Sequence, residues 1–192
     1  TVTTSTIWND LDCDGDGVIN GTEVTDGTDA TDPCDYLLAS QTVTTSAAWG
    51  LLDCDGDGTD NGTDTDPLDP CTGGTSGSED ITNPIWQAAD CDGDGVTNGD
   101  ETTDGTDATD PCDYLTASQT VTTSTIWNDL DCDGDGVTNG DETTDGTDAT
   151  DPCDYLTASQ TVTTSAAWNL LDCDGDGTDN GTDTDPLDPC TD

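Results

Sequence analysis

The chain has 192 residues, carries 45 Asp and Glu, and contains no Lys, Arg or His, for a formal charge of −45. No ion pair can form between its side chains, so self-repulsion opposes a compact state unless a cation from outside supplies positive charge; hard oxygen ligands suit a divalent ion, calcium first. The same charge excludes nucleic acid and anionic membrane as partners, and with 29% apolar residues, no Phe and no Met there is no material for one large core.

Two regularities separate the chain from a disordered acidic polymer. Five Trp and ten Cys recur at fixed spacing, and the acidic residues are patterned. An even number of cysteines predicts disulfides and an oxidising, extracellular compartment. Zinc is the rival, and it fails on spacing, since there is neither a C-x-x-C pair nor a His. Small units braced by disulfides and metal hold shape without a conventional core. No signal peptide, membrane-spanning run or lipidation motif is readable, so membrane insertion is not expected. The first residue is Thr, and the expectation is a mature or interior piece of a longer chain.

The first element along the chain is Asp12–Glu23, D-C-D-G-D-G-V-I-N-G-T-E. It fits a twelve-residue EF-hand calcium loop, with ligands at positions 1, 3, 5, 7 (through the carbonyl), 9 and 12, and Gly at position 6 for the sharp turn. Here these are Asp12, Asp14, Asp16, Val18, Asn20 and Glu23. The loop recurs as Asp53, Asp55, Asp57, Thr59, Asn61 and Asp64; then as Asp90, Asp92, Asp94, Val96, Asn98 and Glu101. The fourth copy is Asp131, Asp133, Asp135, Val137, Asn139 and Glu142, and the fifth Asp172, Asp174, Asp176, Thr178, Asn180 and Asp183. Five copies at fixed distance from Trp and Cys set the pattern apart from solvated acidic turns. Asp at position 12 ligates through fewer oxygens than Glu, which predicts weaker or differently shaped second and fifth sites.

These loops define five repeats, 1–34, 35–71, 72–112, 113–153 and 154–192, in the order long, short, long, long, short. A Trp stands five residues before each first Cys, and a Pro directly before each second Cys. First to second Cys is 21, 17, 21, 21 and 17 residues; second to next first is always 20. Pairing within repeats, such as Cys13–Cys34, clamps each loop and uses every Cys, and is favoured. Pairing between repeats, such as Cys34–Cys54, has the constant span and leaves Cys13 and Cys190 for neighbours outside.

Most connections read D-Y-L-[LT]-A-S-Q-T-V-T-T-S-[AT]-[AI]-W. Gln41–Thr44 alternates like a short strand, and Ser46 is placed to cap a helix over Ala47–Leu52 that delivers the chain into the loop. No amphipathic helix is expected after Glu23 or its equivalents. The exceptional connection begins Gly73–Ser78 and reads as a flexible joint or block boundary.

A second acidic cluster follows each loop: Asp26, Asp29, Asp32 and Asp35 in the first long repeat, reduced to Asp66 and Asp69 in the first short one. It reads either as a second calcium site or as solvated surface. The Trp residues read as a minimal core over disulfide or loop, with carbohydrate stacking as the alternative. Asn20, Asn61 and Asn180 head N-glycosylation sequons, but each is also a loop position 9, so Thr42, Thr44, Thr45 and Ser46 are the better glycan acceptors.

The run D-x-D-G-D-G-x-x-N-G-x-E followed by G-T-D-x-x-D-P resembles thrombospondin type 3 calcium repeats, most of all those of bacterial surface and adhesin-like proteins; the loop is also similar to that of dockerins. The resemblance covers loop and acidic tail in all five repeats and not the T-V-T-T-S connections. It implies calcium-dependent folding of an extended, core-poor extracellular rod. The expected fold is therefore an irregular, calcium- and disulfide-stabilised tandem repeat with little regular secondary structure. The expected function is a structural segment of an extracellular filament, stalk or adhesin, with neighbouring repeats, identical chains and covalent glycans as partners. The alternative is a calcium-dependent binding module. Catalysis has no support, since there is no His or Lys base and metal accounts for the paired carboxylates.

Overall fold

The computed structural model of the chain describes residues 5–74 and 77–191. Two compact units form, Thr1–Ala89 and Asp90–Asp192, dividing inside the third repeat. Regular structure among the described residues consists of short α- and 3-10 helices, with no strand. An irregular, disulfide-stabilised repeat fold is thus what the sequence builds.

Each loop is entered through about one helical turn. Ser5 and Ser124 cap the four-residue helices Thr6–Asn9 and Thr125–Asn128, accepting the N–H of Trp8 and Trp127. Asn83 caps Pro84–Ala88, whose Pro occupies the first turn, where its missing N–H costs nothing. In the short repeats Ser46 and Ser165 accept the N–H of Trp49 and Trp168 at 3.0 and 2.9 Å. The turns there are 3-10, Trp49–Leu51 and Trp168–Leu170, so the expected serine cap is present on a helix shorter than Ala47–Leu52.

The exit side corrects the sequence expectation. Each long repeat leaves its loop through a seven-residue α-helix, Asn20–Asp26, Asn98–Asp104 and Asn139–Asp145. Its buried face is polar, made of Asn20 and Glu23 or their counterparts, three residues apart and so side by side. A search for an apolar stripe passes over such a helix. Thr97 and Thr138 cap two of the three, and Gly27, Gly105 and Gly146 end them in the left-handed conformation.

The disulfides join consecutive repeats: Cys34–Cys54, Cys112–Cys132 and Cys153–Cys173, each spanning 20 residues. Cys71 and Cys91 are disulfide-bonded as well. The favoured within-repeat pairing is therefore wrong. The physical reason is that the tail Pro-Cys of one repeat packs on the entry turn of the next: Trp49 Nε1 donates to the Pro33 carbonyl at 3.1 Å and Trp168 Nε1 to that of Pro152 at 2.9 Å. Closing a loop of this length restricts the unfolded chain by about 3 kcal/mol per bond.

The apolar core is divided in the same way. Val18, Tyr36 and Trp49 form one cluster, with Leu52 and Leu68 against it; Val96, Tyr114, Trp127 and Ala149 form another; Val137, Tyr155 and Trp168 a third. Each takes its Val from loop position 7, its Tyr from the connection and its Trp from the next repeat. The Tyr–Trp rings meet edge-on at 5.8 to 6.1 Å, a geometry worth about 0.5–1.5 kcal/mol beyond the buried area. Trp49, Trp86, Trp127 and Trp168 are at most 6% exposed, which removes them as carbohydrate-stacking platforms.

The connections are not spacers. Gln41–Thr44 does not pair as a strand; it folds back on the preceding loop, with Thr42 and Val43 N–H on the Gly17 carbonyl and Ser46 N–H on that of Gly15. Thr120, Val121 and Ser124, then Thr161, Val162 and Ser165, repeat these bonds. Around the expected joint, Thr75 and Ser76 lie outside the described residues, while Gly73 and Ser78 pack against the second loop.

This packing predicts unequal costs for two alanine substitutions at left-handed glycines. Gly105→Ala, at φ +82° with open space around it, should lose about 1 kcal/mol in urea denaturation. Gly95→Ala, at φ +93° with its Cβ 3.0 Å from Thr123 and 3.1 Å from the Val121 carbonyl, should lose roughly 2–3 kcal/mol because the connection must also shift.

Candidate metal centres

Each loop winds its backbone around its own carboxylates. Asp12 accepts the N–H of Gly15 on one oxygen, at 2.7 Å, and that of Gly17 on the other, at 3.1 Å. Asp53, Asp90, Asp131 and Asp172 do the same. One oxygen of the position-3 Asp accepts the position-5 N–H, and one oxygen of the position-5 Asp accepts the position-7 N–H. The fourth and fifth loops repeat both bonds. The winding needs Gly at positions 4 and 6, where φ runs from 79° to 100°.

The consequence is a set of carboxylate oxygens that are buried and have no hydrogen-bond partner. In the first loop they are Asp14 Oδ2, Asp16 Oδ2 and both oxygens of Glu23; the third and fourth loops leave the same four. The second leaves Asp55, Asp57 and Asp64 Oδ2, and the fifth Asp174, Asp176 and Asp183 Oδ2. In every loop the ligand oxygens of positions 1, 3 and 5 lie within 4.8 Å of one another. Orphaned buried charge is costly, and its fivefold repetition at the same positions distinguishes these groups from acidic turns. The five Asp triplets can each hold a metal ion.

Burial and mutual repulsion raise the carboxyl groups. Desolvation, then the nearby aspartates, pushes Glu23 up to about 7 and Glu101 and Glu142 to about 8. Asp55, Asp92 and Asp133 are pushed to about 7 and Asp16, Asp94 and Asp135 to about 6, desolvation again leading. The position-12 residues, though outside the triplets, share the field of positions 1, 3 and 5.

Position 9 is placed differently from the sequence expectation. Each Asn accepts the N–H of the position-2 Cys on Oδ1, at 3.0 to 3.2 Å, and directs Nδ2 to that Cys Sγ. Asn20, Asn139 and Asn180 also donate to the carbonyl of the Trp before the loop. The asparagines thus brace loop, entry turn and cysteine. Burial to 3% or less, with Nδ2 engaged, also closes Asn20, Asn61 and Asn180 to glycosylation.

The second acidic clusters have local partners. Asp29 accepts from Thr31 N–H and hydroxyl, Asp32 from Cys34 N–H, and Asp35 from Asp29 N–H. Asp26 accepts the Ser40 hydroxyl at 2.6 Å, tying the exit helix to the connection; Asp104 with Ser118 and Asp145 with Ser159 do likewise. Among the described residues these carboxylates join none of the groups that can hold a metal.

Sequence reasoning missed the residues that close the loops from above. The amides of Gln41, Gln119 and Gln160 donate to the carbonyls of Asp16, Asp94 and Asp135 at 2.6 Å. Their signal was available, a Gln 25 residues after the position-5 Asp of each long repeat, inside the shared connection. No family model, curated protein or solved structure matches the chain.

The raised carboxyls set a pH dependence. A folded-state carboxyl above its unfolded value holds its proton more tightly in the folded chain, so its contribution is present at low pH and lost as pH rises through about 6 to 8. Metal must displace those protons, so its affinity rises over the same window. Calcium should therefore bind more tightly at pH 8 than at pH 5 in calorimetric titrations, with fewer protons released on binding at pH 8, and the calcium-loaded chain should melt higher at pH 8 than at pH 5 in thermal scans.

Proposed function

We propose that the chain is a structural segment of an extracellular filament, stalk or adhesin, built from calcium-binding repeats of the thrombospondin type 3 kind and braced by disulfides. The observation that carries this proposal is the set of orphaned, buried oxygens at positions 3, 5 and 12, recurring in all five loops. The residues fit a hard cation. Positions 1, 3, 5 and 12 offer carboxylate oxygens and position 7 a backbone carbonyl, an all-oxygen set suited to calcium.

When bound, calcium supplies the positive charge that the sequence lacks. The loop residues bring the ligands together; Asn at position 9 keeps Cys at position 2 in place; the disulfide carries that placement to the preceding tail. A metal loop is thereby coupled to both neighbouring repeats, which is an arrangement for stiffness. The repeats are near copies, so no single one stands out as a dedicated binding face. Four disulfides go with an oxidising compartment, and no helix among the described residues is long and apolar enough to cross a membrane. Thr42 and Thr44 are exposed in the connection and are the proposed sites of O-linked sugar.

Chelation tests the proposal. Removing calcium from the oxidised chain should abolish most of the short-helix circular dichroism and change the particle's length in images, and restoring calcium should recover both. A particle unchanged by chelator contradicts it. The loops should also differ: Glu142 leaves two orphaned oxygens and Asp64 one, so calcium titration should resolve three tighter and two weaker sites. Glu142→Asp should move the fourth site to the weaker class, read by calorimetry.

A further inference from the structure

We propose that the five position-9 asparagines are deamidation sites gated by calcium, so that a chain left without the metal is altered covalently and does not return. The proposal rests on the calcium-binding reading of the loops and adds a modification to it. In every loop the Asn is followed by Gly: Asn20-Gly21, Asn61-Gly62, Asn98-Gly99, Asn139-Gly140 and Asn180-Gly181. This pair is the most labile setting for an Asn. Gly has no side chain to obstruct its own nitrogen as it approaches the Asn Cγ, and its backbone turns freely. The other four asparagines, Asn9, Asn83, Asn128 and Asn169, precede Asp, Pro or Leu.

Packing fixes both members of the pair. The Asn braces the loop through its contacts to the position-2 Cys. The Gly is needed because the loop exit lies directly on the entry turn. A Cβ at Gly21 would stand 3.0 Å from the Cβ and the carbonyl oxygen of Asn9, and one at Gly140 3.0 Å from those of Asn128. At Gly62 it would stand 2.9 Å from the Gly50 carbonyl oxygen. A bulkier residue would push exit and entry apart, so protection of the labile pair falls to the fold.

The folded loop withholds each movement that the reaction needs. All five asparagines are at most 3% exposed, which keeps water and hydroxide away. In the long repeats the Asn is the first residue of the exit helix, whereas ring closure needs its backbone out of the helical conformation. The departing nitrogen is held: Asn139 Nδ2 lies 3.1 Å from the Trp127 carbonyl and 3.2 Å from Cys132 Sγ. In the short repeats the attacking nitrogen is engaged as well, Gly62 N–H on the Gly50 carbonyl at 3.1 Å and Gly181 N–H on that of Asn169 at 3.0 Å. Without metal, the orphaned carboxylates at positions 3, 5 and 12 repel one another across the loop that contains the pair. Opening the loop removes these restraints together.

The Gly nitrogen, its proton taken by hydroxide, then attacks the Asn Cγ. A Cγ–N bond forms to Gly, the Cγ–Nδ2 bond breaks, and Nδ2 takes up a proton and leaves as ammonia, closing a five-membered succinimide. Water adds to one ring carbonyl and breaks one C–N bond, leaving Asp or isoaspartate. The sum exchanges ammonia for water and needs no oxidant or reductant. Asp turns an oxygen toward Cys Sγ and the Trp carbonyl where an N–H donor stood, and isoaspartate lengthens the backbone by a methylene at the loop exit. Neither rebuilds the brace.

The test incubates the full chain, disulfides intact, in mildly alkaline buffer with saturating calcium, with chelator or with urea. Peptide mapping by mass spectrometry follows the exchange of –NH2 for –OH at each Asn. Conversion at the five Asn-Gly pairs should run roughly tenfold or more faster in chelator than in calcium and approach the rate in urea, as expected where reaction requires local opening. Asn9, Asn83, Asn128 and Asn169 should stay unconverted over the same period. Returned to calcium, the chelator-aged chain should recover its helical circular dichroism only in proportion to the asparagines that remain. Equal rates in calcium and chelator would overturn the gating, and full recovery after conversion would overturn the one-way change. Circular dichroism on freshly chelated chain separates the failures. A calcium response with equal rates sinks the deamidation switch alone; no calcium response sinks the calcium-binding reading.

Discussion

Carboxylates that converge in a chain without a single side-chain cation are the constraint on which the structure depends. Water solvates such groups well, and burying them costs several kcal/mol each unless charge and hydrogen bonds are supplied. The loop backbone supplies part of this. Asp131 satisfies both its oxygens on the N–H groups of Gly134 and Gly136, and Asp133 and Asp135 each satisfy one. What remains, at positions 3, 5 and 12, is negative charge directed inward with nothing to meet it. Repulsion that would unfold an ordinary domain is gathered, in this arrangement, at five fixed places that can each hold a cation.

The second consequence concerns where the apolar material goes. With so little of it, no repeat can bury a core of its own. Val137, Tyr155 and Trp168 come from a loop, a connection and the following entry turn, and the disulfide Cys153–Cys173 closes over the same junction. Neighbours therefore complete one another, and stability in such arrays resides in nearest-neighbour interfaces. The glycine-rich loop and the threonine-rich connection form one structure, since Gln160 and Val162 bond the backbone of the loop that precedes them by some 25 residues.

The loops were legible because their chemistry is local. Asp at positions 1, 3 and 5 with Gly at 6 dictates a turn whatever surrounds it, and the serine caps at Ser46 and Ser124 follow from the same short-range rules. Disulfide partners were not legible, because either pairing satisfied the spacing, and the choice was made by Pro33 meeting Trp49, a tertiary contact. The exit helix was hidden for a different reason. Amphipathicity is normally read as apolar against polar, and here the inward face is Asn139 and Glu142. The role of Asn139 was hidden as well, since one residue type serves equally as a metal ligand and as a brace for Cys132; only its neighbours decide.

The most direct test of the account is a count of ions. Native mass spectrometry of the oxidised chain, titrated with calcium against a background of ammonium and magnesium, should show saturation at five calcium ions per chain, with the folded charge-state distribution appearing as the ions load. A folded distribution that persists with no calcium bound, or uptake that rises without saturating as it would on a diffuse acidic surface, would contradict it.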